Sequence, residues 1–81
     1  MRQITDDQGQ TWDVVAVDTV VAHRRQGATL GFRPAGRMDA ETVLTPIEFN
    51  SPEAAAFAIR TMGEKELRRR LELAKTAAGV A

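Results

Sequence analysis

Apolar residues recur along this chain with two different periods, and the change of period divides it. In the first part they alternate with polar ones. Arg2–Thr5 reads as a short strand, Gln10 to about Val17 as a second, Ala28–Arg33 as a third and Glu41–Phe49 as a fourth. In the third, Ala28, Leu30 and Phe32 alternate with Thr29, Gly31 and Arg33, the period of two that marks a half-buried strand. Trp12, Val14 and Ala16 line one face of the second, with Asp13, Val15 and Val17 on the other; Thr19–Ala22 would continue it past a bend. Beyond Asn50 the spacing becomes three and four. Ala54, Phe57, Ala58 and Thr61 share a stripe of a helix over Ala54–Met62, and Leu67, Leu71, Ala74 and Ala78 share one on a second helix.

The punctuation agrees with this division. Asp6-Asp7-Gln8-Gly9 has Asp where a turn's side chain bonds its own backbone and Gly where the backbone needs a positive φ. His23-Arg24-Arg25-Gln26-Gly27 reads as a second turn and Pro34-Ala35-Gly36-Arg37 as a third. Pro46 cannot donate a ladder bond, so its strand belongs at an edge or carries a bulge there. Ser51-Pro52-Glu53 is a helix start, with a capping hydroxyl, a proline in the first turn and an acid at the positive end of the dipole. Gly63 caps the second helix, Met62 and Leu67 stand at the spacing of a hydrophobic staple, and Gly79 stops it. Strands followed by helices predict an α+β fold, β-β-β-β-α-α: an antiparallel sheet of three to four strands with two C-terminal helices on one face. The expected organisation is one small domain over residues 1–81, with the sheet in 1–50, the helices in 51–79 and a frayed end at 80–81. Its predicted core is Trp12, Val14, Leu30, Phe32, Val43, Ile47, Phe49, Phe57, Ile59, Leu67 and Leu71.

Composition narrows the chemistry. At 81 residues the chain is too short for a dinucleotide fold or a barrel enzyme. Without cysteine there is no disulfide framework, thiol catalysis or zinc ribbon. Its one serine, Ser51, stands at a helix cap, and its one histidine, His23, stands in a turn beside two arginines. No catalytic residue, metal ligand set or cofactor is implied, and Gly27, Gly31 and Gly36 do not form a phosphate loop. No apolar run approaches the roughly 20 residues of a membrane span. Residues 1–18 lack the basic-then-apolar layout of a secretory leader, so no membrane association and a cytoplasmic location are expected.

Two patterns remain. The first is apolar surplus: Val15 and Val17 lie opposite the Trp12 face, Leu44 lies opposite Val43, and Leu73 lies off the Leu67/Leu71 stripe. Apolar residues on second faces point to contact with another chain. The leading expectation is therefore a small non-catalytic interaction module (a subunit, adaptor or inhibitor), a homodimer included, with Val15, Val17, Leu44 and Leu73 at its contact surface. It would act through that apolar surface or through an exposed strand edge. The second pattern is charge. Net charge is zero, yet Thr19 to Met38 holds no acid and carries His23, Arg24, Arg25, Arg33 and Arg37. That segment carries the alternative of a nucleic-acid-binding accessory protein. A third reading, a small enzyme, would draw on Asp13, Asp18, Glu41 and Glu48. Arg68-Arg69-Arg70 reads instead as a solvated helix face, since Glu64, Glu66 and Glu72 stand four positions from Arg68 or Arg70.

Overall fold

A computed structural model describes residues 2–21, 25–37 and 39–79. The chain forms β1 (Gln3–Thr5), β2 (Thr11–Val21), β3 (Arg25–Pro34), β4 (Val43–Phe49), α1 (Pro52–Thr61) and α2 (Glu64–Ala77). The four strands make one antiparallel sheet in the order β1-β2-β3-β4. Both helices lie on one face of it, α1 against β2, β3 and β4, and α2 against β4 and β1. This is the α+β arrangement that the pattern predicts. Residues 80 and 81 lie outside the described residues.

Local chemistry accounts for the joints. In the β1–β2 turn the Asp6 carboxylate accepts from the backbone N–H groups of Gln8 and Gln10, both at 2.9 Å, and Gly9 takes a φ of 82°. Ser51 caps α1 by accepting from the Ala54 N–H at 3.1 Å, and Gly79, at φ 75°, follows the end of α2. Pro46 satisfies both halves of its expectation, because β4 is an edge strand and is bulged there. Pairing shifts between Thr29↔Glu48 and Gly31↔Leu44, leaving Thr45-Pro46-Ile47 opposite Leu30. Thr45 repairs the gap: its buried hydroxyl donates to the Leu30 carbonyl at 2.9 Å and accepts from the Ile47 N–H at 3.1 Å.

Several boundaries move. β2 runs on through Thr19 to Val21. Arg25, Gln26 and Gly27, read as part of a turn, belong to β3, while the remainder of that turn, His23 and Arg24, lies outside the described residues. β4 begins at Val43 and not at Glu41, and α1 begins at Pro52.

The core holds Ile4, Trp12, Val14, Leu30, Phe32, Val43, Leu67, Leu71 and Ala74, with Ile47, Phe49, Ile59 and Met62 packed against it. Phe57 is a correction: it is 59% exposed and lies under the Arg60 guanidinium, 5.6 Å from the ring centre. The helix is turned so that Ala55, Ile59 and Met62 face the sheet. Ala55 lets the helix backbone approach closely, whereas a stripe through Phe57 would hold it away. Ile4 and Lys75 are buried without having been predicted, and Ala16 and Ala78 are exposed.

Leu71 has no exposed surface, so Leu71→Ala should lower stability by about 2–5 kcal/mol. Phe57→Ala should change it by no more than about 0.5 kcal/mol, as for a surface substitution. Urea unfolding of the two variants checks both values, and the reverse ranking would mean that α1 packs in the predicted phase.

Candidate functional site

Two places gather polar groups that the fold has to satisfy. The first lies between the ends of the chain. Asp6 Oδ2 accepts from the indole N–H of Trp12 at 2.9 Å and from Lys75 Nζ at 3.1 Å, while Oδ1 takes the two turn amides. Lys75 Nζ also donates to Glu72 at 3.3 Å and lies 5.7 Å from the centre of the Trp12 ring. The Asp6 and Lys75 side chains are 1% and 6% exposed. Burial by itself pushes the Asp6 carboxyl up. Hydrogen bonds from Trp12, Gln10, Lys75 and Gln8 outweigh it and bring the pKa down to about 2. Burial likewise pulls Lys75 down, and its bonds and charge contacts with Asp6 and Glu72 more than restore it. Both Asp6 oxygens and the Trp12 indole are bonded within the cluster, and Lys75 is shared between two carboxylates. The cluster is a clamp between the first turn and the last helix.

The second place is an edge. β1 pairs only with Thr11–Asp13 of β2, and the Val14 N–H donates to the Arg2 carbonyl at 2.9 Å. The Asp6 N–H likewise meets the Gln10 carbonyl, so even-numbered residues turn their backbone groups toward β1 on this side. Ala16, Asp18 and Val20 continue that series, and among the described residues no strand lies beside them. Ala16 and Asp18 are exposed. On the helix-bearing face, Ala16 forms part of an open groove of about 470 Å³ with Val14, Ala56, Ile59, Arg2 and Arg60. The Arg2 guanidinium is anchored there by the carbonyls of Ile59 and Arg60, both at 3.2 Å, at the end of α1. On the opposite face the same segment presents Val15 and Val17, both half-buried.

The residues predicted for a partner surface are thus divided. Val15 and Val17 share the outer face of the sheet with Leu44, which stands across Gly31 from Val15 and is 51% exposed. Gly31 is what lets Leu44 lean inward, since a Cβ there would meet Thr42 Cγ2 at 2.7 Å and Leu44 Cδ2 at 3.2 Å. Leu73, 54% exposed on α2, belongs to the other side of the molecule.

The arginines do not gather either. Arg25 and Arg33 stand at opposite ends of β3, about 26 Å apart at the rise of a strand. Arg33 lies over Asp13, at 3.7 Å, whose other oxygen takes the Gln3 amide. Arg37 lines a groove of about 640 Å³ with Trp12, Glu41, Leu44 and Ala78. His23 and Arg24 lie outside the described residues. Carboxylates are dispersed as well: Asp13 and Glu48 stand on the outer face of the sheet and Asp18 on the inner one. Among the described residues no three of His, Cys, Asp and Glu come close enough to hold a metal ion, and no helix is long and apolar enough to cross a membrane. Of the helix pairs, Glu64–Arg68 and Glu66–Arg70 form at 2.8 and 3.0 Å, whereas Glu72 turns to Lys75 in place of Arg68.

No protein-family model, curated protein or solved structure matches this chain.

The sequence pointed to Val15 and Val17 by their side chains alone. It missed Arg2 and Arg60, placed Ala16 on the Trp12 face, and named Asp18 only as a candidate enzyme carboxylate. A signal was nevertheless present: a three-residue strand cannot cover the flank of an eleven-residue neighbour.

The clamp carries a pH dependence with a definite sign. Asp6 is held below its unfolded pKa, so its contribution is complete above about pH 4 and lost as pH falls toward about 2. Asp6→Ala should cost about 3–5 kcal/mol near neutral pH, since it leaves the buried Lys75 with Glu72 alone and three N–H donors unpaired. The deficit against the parent protein should shrink between pH 4 and pH 2. Lys75→Met should cost less than about 2 kcal/mol, because Asp6 keeps three of its donors. Chemical denaturation across that pH range measures both variants, and an Asp6→Ala deficit constant with pH would contradict the assignment.

Proposed function

We propose that this protein is a non-catalytic interaction module that receives an extended segment of another protein on the free flank of β2. The observation that carries this reading is the row of backbone groups at Ala16, Asp18 and Val20, without a neighbouring strand among the described residues, with Ala16 and Asp18 exposed. An unpaired strand edge is a template for another strand, and natural sheets shorten, charge or cover such edges when they are not used. Here the edge is long, mostly β-branched and carries one charge, Asp18. The half-buried Val15 and Val17 add apolar surface beside it, in the manner of modules that recruit peptides by strand addition. The other edge, β4, is blunted by Pro46 and its bulge.

The nucleic-acid alternative has weaker support. Arg33 is engaged with Asp13, Arg25 stands at the far end of β3 from it, and Arg37 lines a groove with Trp12 and Ala78. A carboxylate enzyme would need acids converging in one cleft, and the larger groove holds one, Glu41.

Ala16→Pro tests the reading, because it deletes an edge N–H that β2 does not use toward β3. Immobilised parent protein should retain a partner from cells of its source that the Ala16→Pro variant loses, while Arg69→Glu, on the solvated face of α2, keeps it. Circular dichroism establishes that the variants are folded. Equal retention by the parent and Ala16→Pro forms would overturn the reading.

A further inference from the structure

Resting on that reading, we infer that the β2 edge is coded by charge: it takes an antiparallel strand with an acidic residue opposite Ala16 and a basic residue opposite Asp18. Residues directly opposite each other in an antiparallel pair direct their side chains to the same face. Ala16 and Asp18 belong to the helix-bearing face, the face of Val14, so the guest's two charged side chains would lie on that face too. At the level of Ala16 the small methyl leaves open the groove that Arg2 lines, with its guanidinium held on the α1 carbonyls. A glutamate stem can lie along Val14, Ala56 and Ile59 with its carboxylate toward the Arg2 guanidinium, a contact that arginine's planar fork favours. Arg2 is already fixed by the α1 carbonyls, so little side-chain freedom is lost on docking. One residue pair further along, Asp18 is exposed and forms no ion pair among the described residues. It calls for lysine or arginine. On the outer face the guest residues opposite Val15, Val17 and Thr19 meet an apolar and β-branched row, so alternate positions of the guest are apolar or threonine.

The same geometry argues against a second copy of this chain as the occupant. Two free flanks that pair over their whole length, residues 15–21 against 21–15, meet at Asp18 on Asp18. Like charges directly opposite in a ladder are destabilising. Sliding the copies toward β1 drives Val20 of each into the place that Arg2 occupies beside Val14. Sliding them the other way gives up the pairs at positions 15 and 16. Asp18 therefore serves both as a guard against self-pairing and as a selector of a foreign strand.

Labelled synthetic peptides test this directly. The first contains Thr-Lys-Val-Glu-Val, which in antiparallel register sets Lys against Asp18 and Glu against Ala16. The second exchanges the two charges, Thr-Glu-Val-Lys-Val, at identical composition. Fluorescence anisotropy should show saturable binding of the first and at least about tenfold weaker binding of the second, as a juxtaposed like charge costs more than 1.4 kcal/mol. N-methylation of the Lys and Glu amides, which face β2, should abolish binding, whereas N-methylation of the two Val amides should leave it. Asp18→Lys should reverse the preference at that position. Sedimentation should show a protein of 8.9 kDa in the absence of peptide.

The inference is overturned by equal binding of the two peptides, by indifference to which amides are methylated, or by a self-associated protein that Asp18→Asn strengthens no further. Equal binding that is still abolished by inward methylation would leave the edge as a docking surface and discard the charge code. If neither peptide binds while Ala16→Pro still loses a cellular partner, the edge reading stands and the stated partner chemistry falls.

Discussion

The Asp6 carboxylate joins the two ends of the chain, and much of the fold depends on it. It is bonded at once to the β1–β2 turn, to the Trp12 indole and to Lys75 near the end of α2, sixty-nine positions away. Each contact makes another cheaper. The turn amides and the indole hold the carboxylate in place and offset the cost of burying it, so Lys75 enters the interior beside a charge already oriented for it. A buried pair is not in general a net source of stability, since desolvation consumes much of the attraction. Its use here is specification. An 81-residue chain has a limited core, and its last helix could otherwise settle on the sheet in several rotational positions. A lysine that must meet one carboxylate allows one of them.

That constraint bears on the edge as well. By tying the first turn to α2, the clamp sets where β1 lies along β2, and β1 then covers only the first residues of its neighbour. The remainder of β2 projects past it, with β3 on its other side. α1 lies over the inner face, and its final carbonyls hold the Arg2 guanidinium at the groove beside Ala16. The flank that has no neighbouring strand among the described residues is therefore a consequence of how the sheet is anchored.

Much of this architecture was legible in local signals. The Asp-to-Gly turn, the serine cap, the Gly63 break, the bulge-prone Pro46 and the stripe of Leu67, Leu71 and Ala74 each depend on a few neighbouring residues, and each is present in the structure. What was illegible depends on distance or on phase. Asp6 announced itself as a turn residue; nothing near it in sequence indicated that its second oxygen faces Trp12 and Lys75. Lys75 lay in the apolar stripe of α2, and a charge at such a position is a signal that its partner is elsewhere. The phase of α1 could not be read because alanines occupy both of its faces, so the one aromatic dominated the pattern and misled it. The end of β2 was obscured for a related reason, since Thr19, Val20 and Val21 suit either an extended strand or a bend.

The surface argument shows the same division in sharper form. Side-chain hydropathy singled out Val15, Val17, Leu44 and Leu73, treating contact as a matter of apolar area. The structure sends Leu73 to one side and tucks Leu44 toward Gly31, leaving a surface too dispersed to be one apolar patch. What unites Val15 and Val17 is the backbone between and beyond them. Main-chain donors and acceptors are present at every position whatever the residue, so no hydropathy pattern can report whether they are paired. They become visible only when strand lengths are compared across a ladder. For a chain this small, the difference in length between β1 and β2 is a better guide to unpaired backbone than the count of exposed apolar side chains.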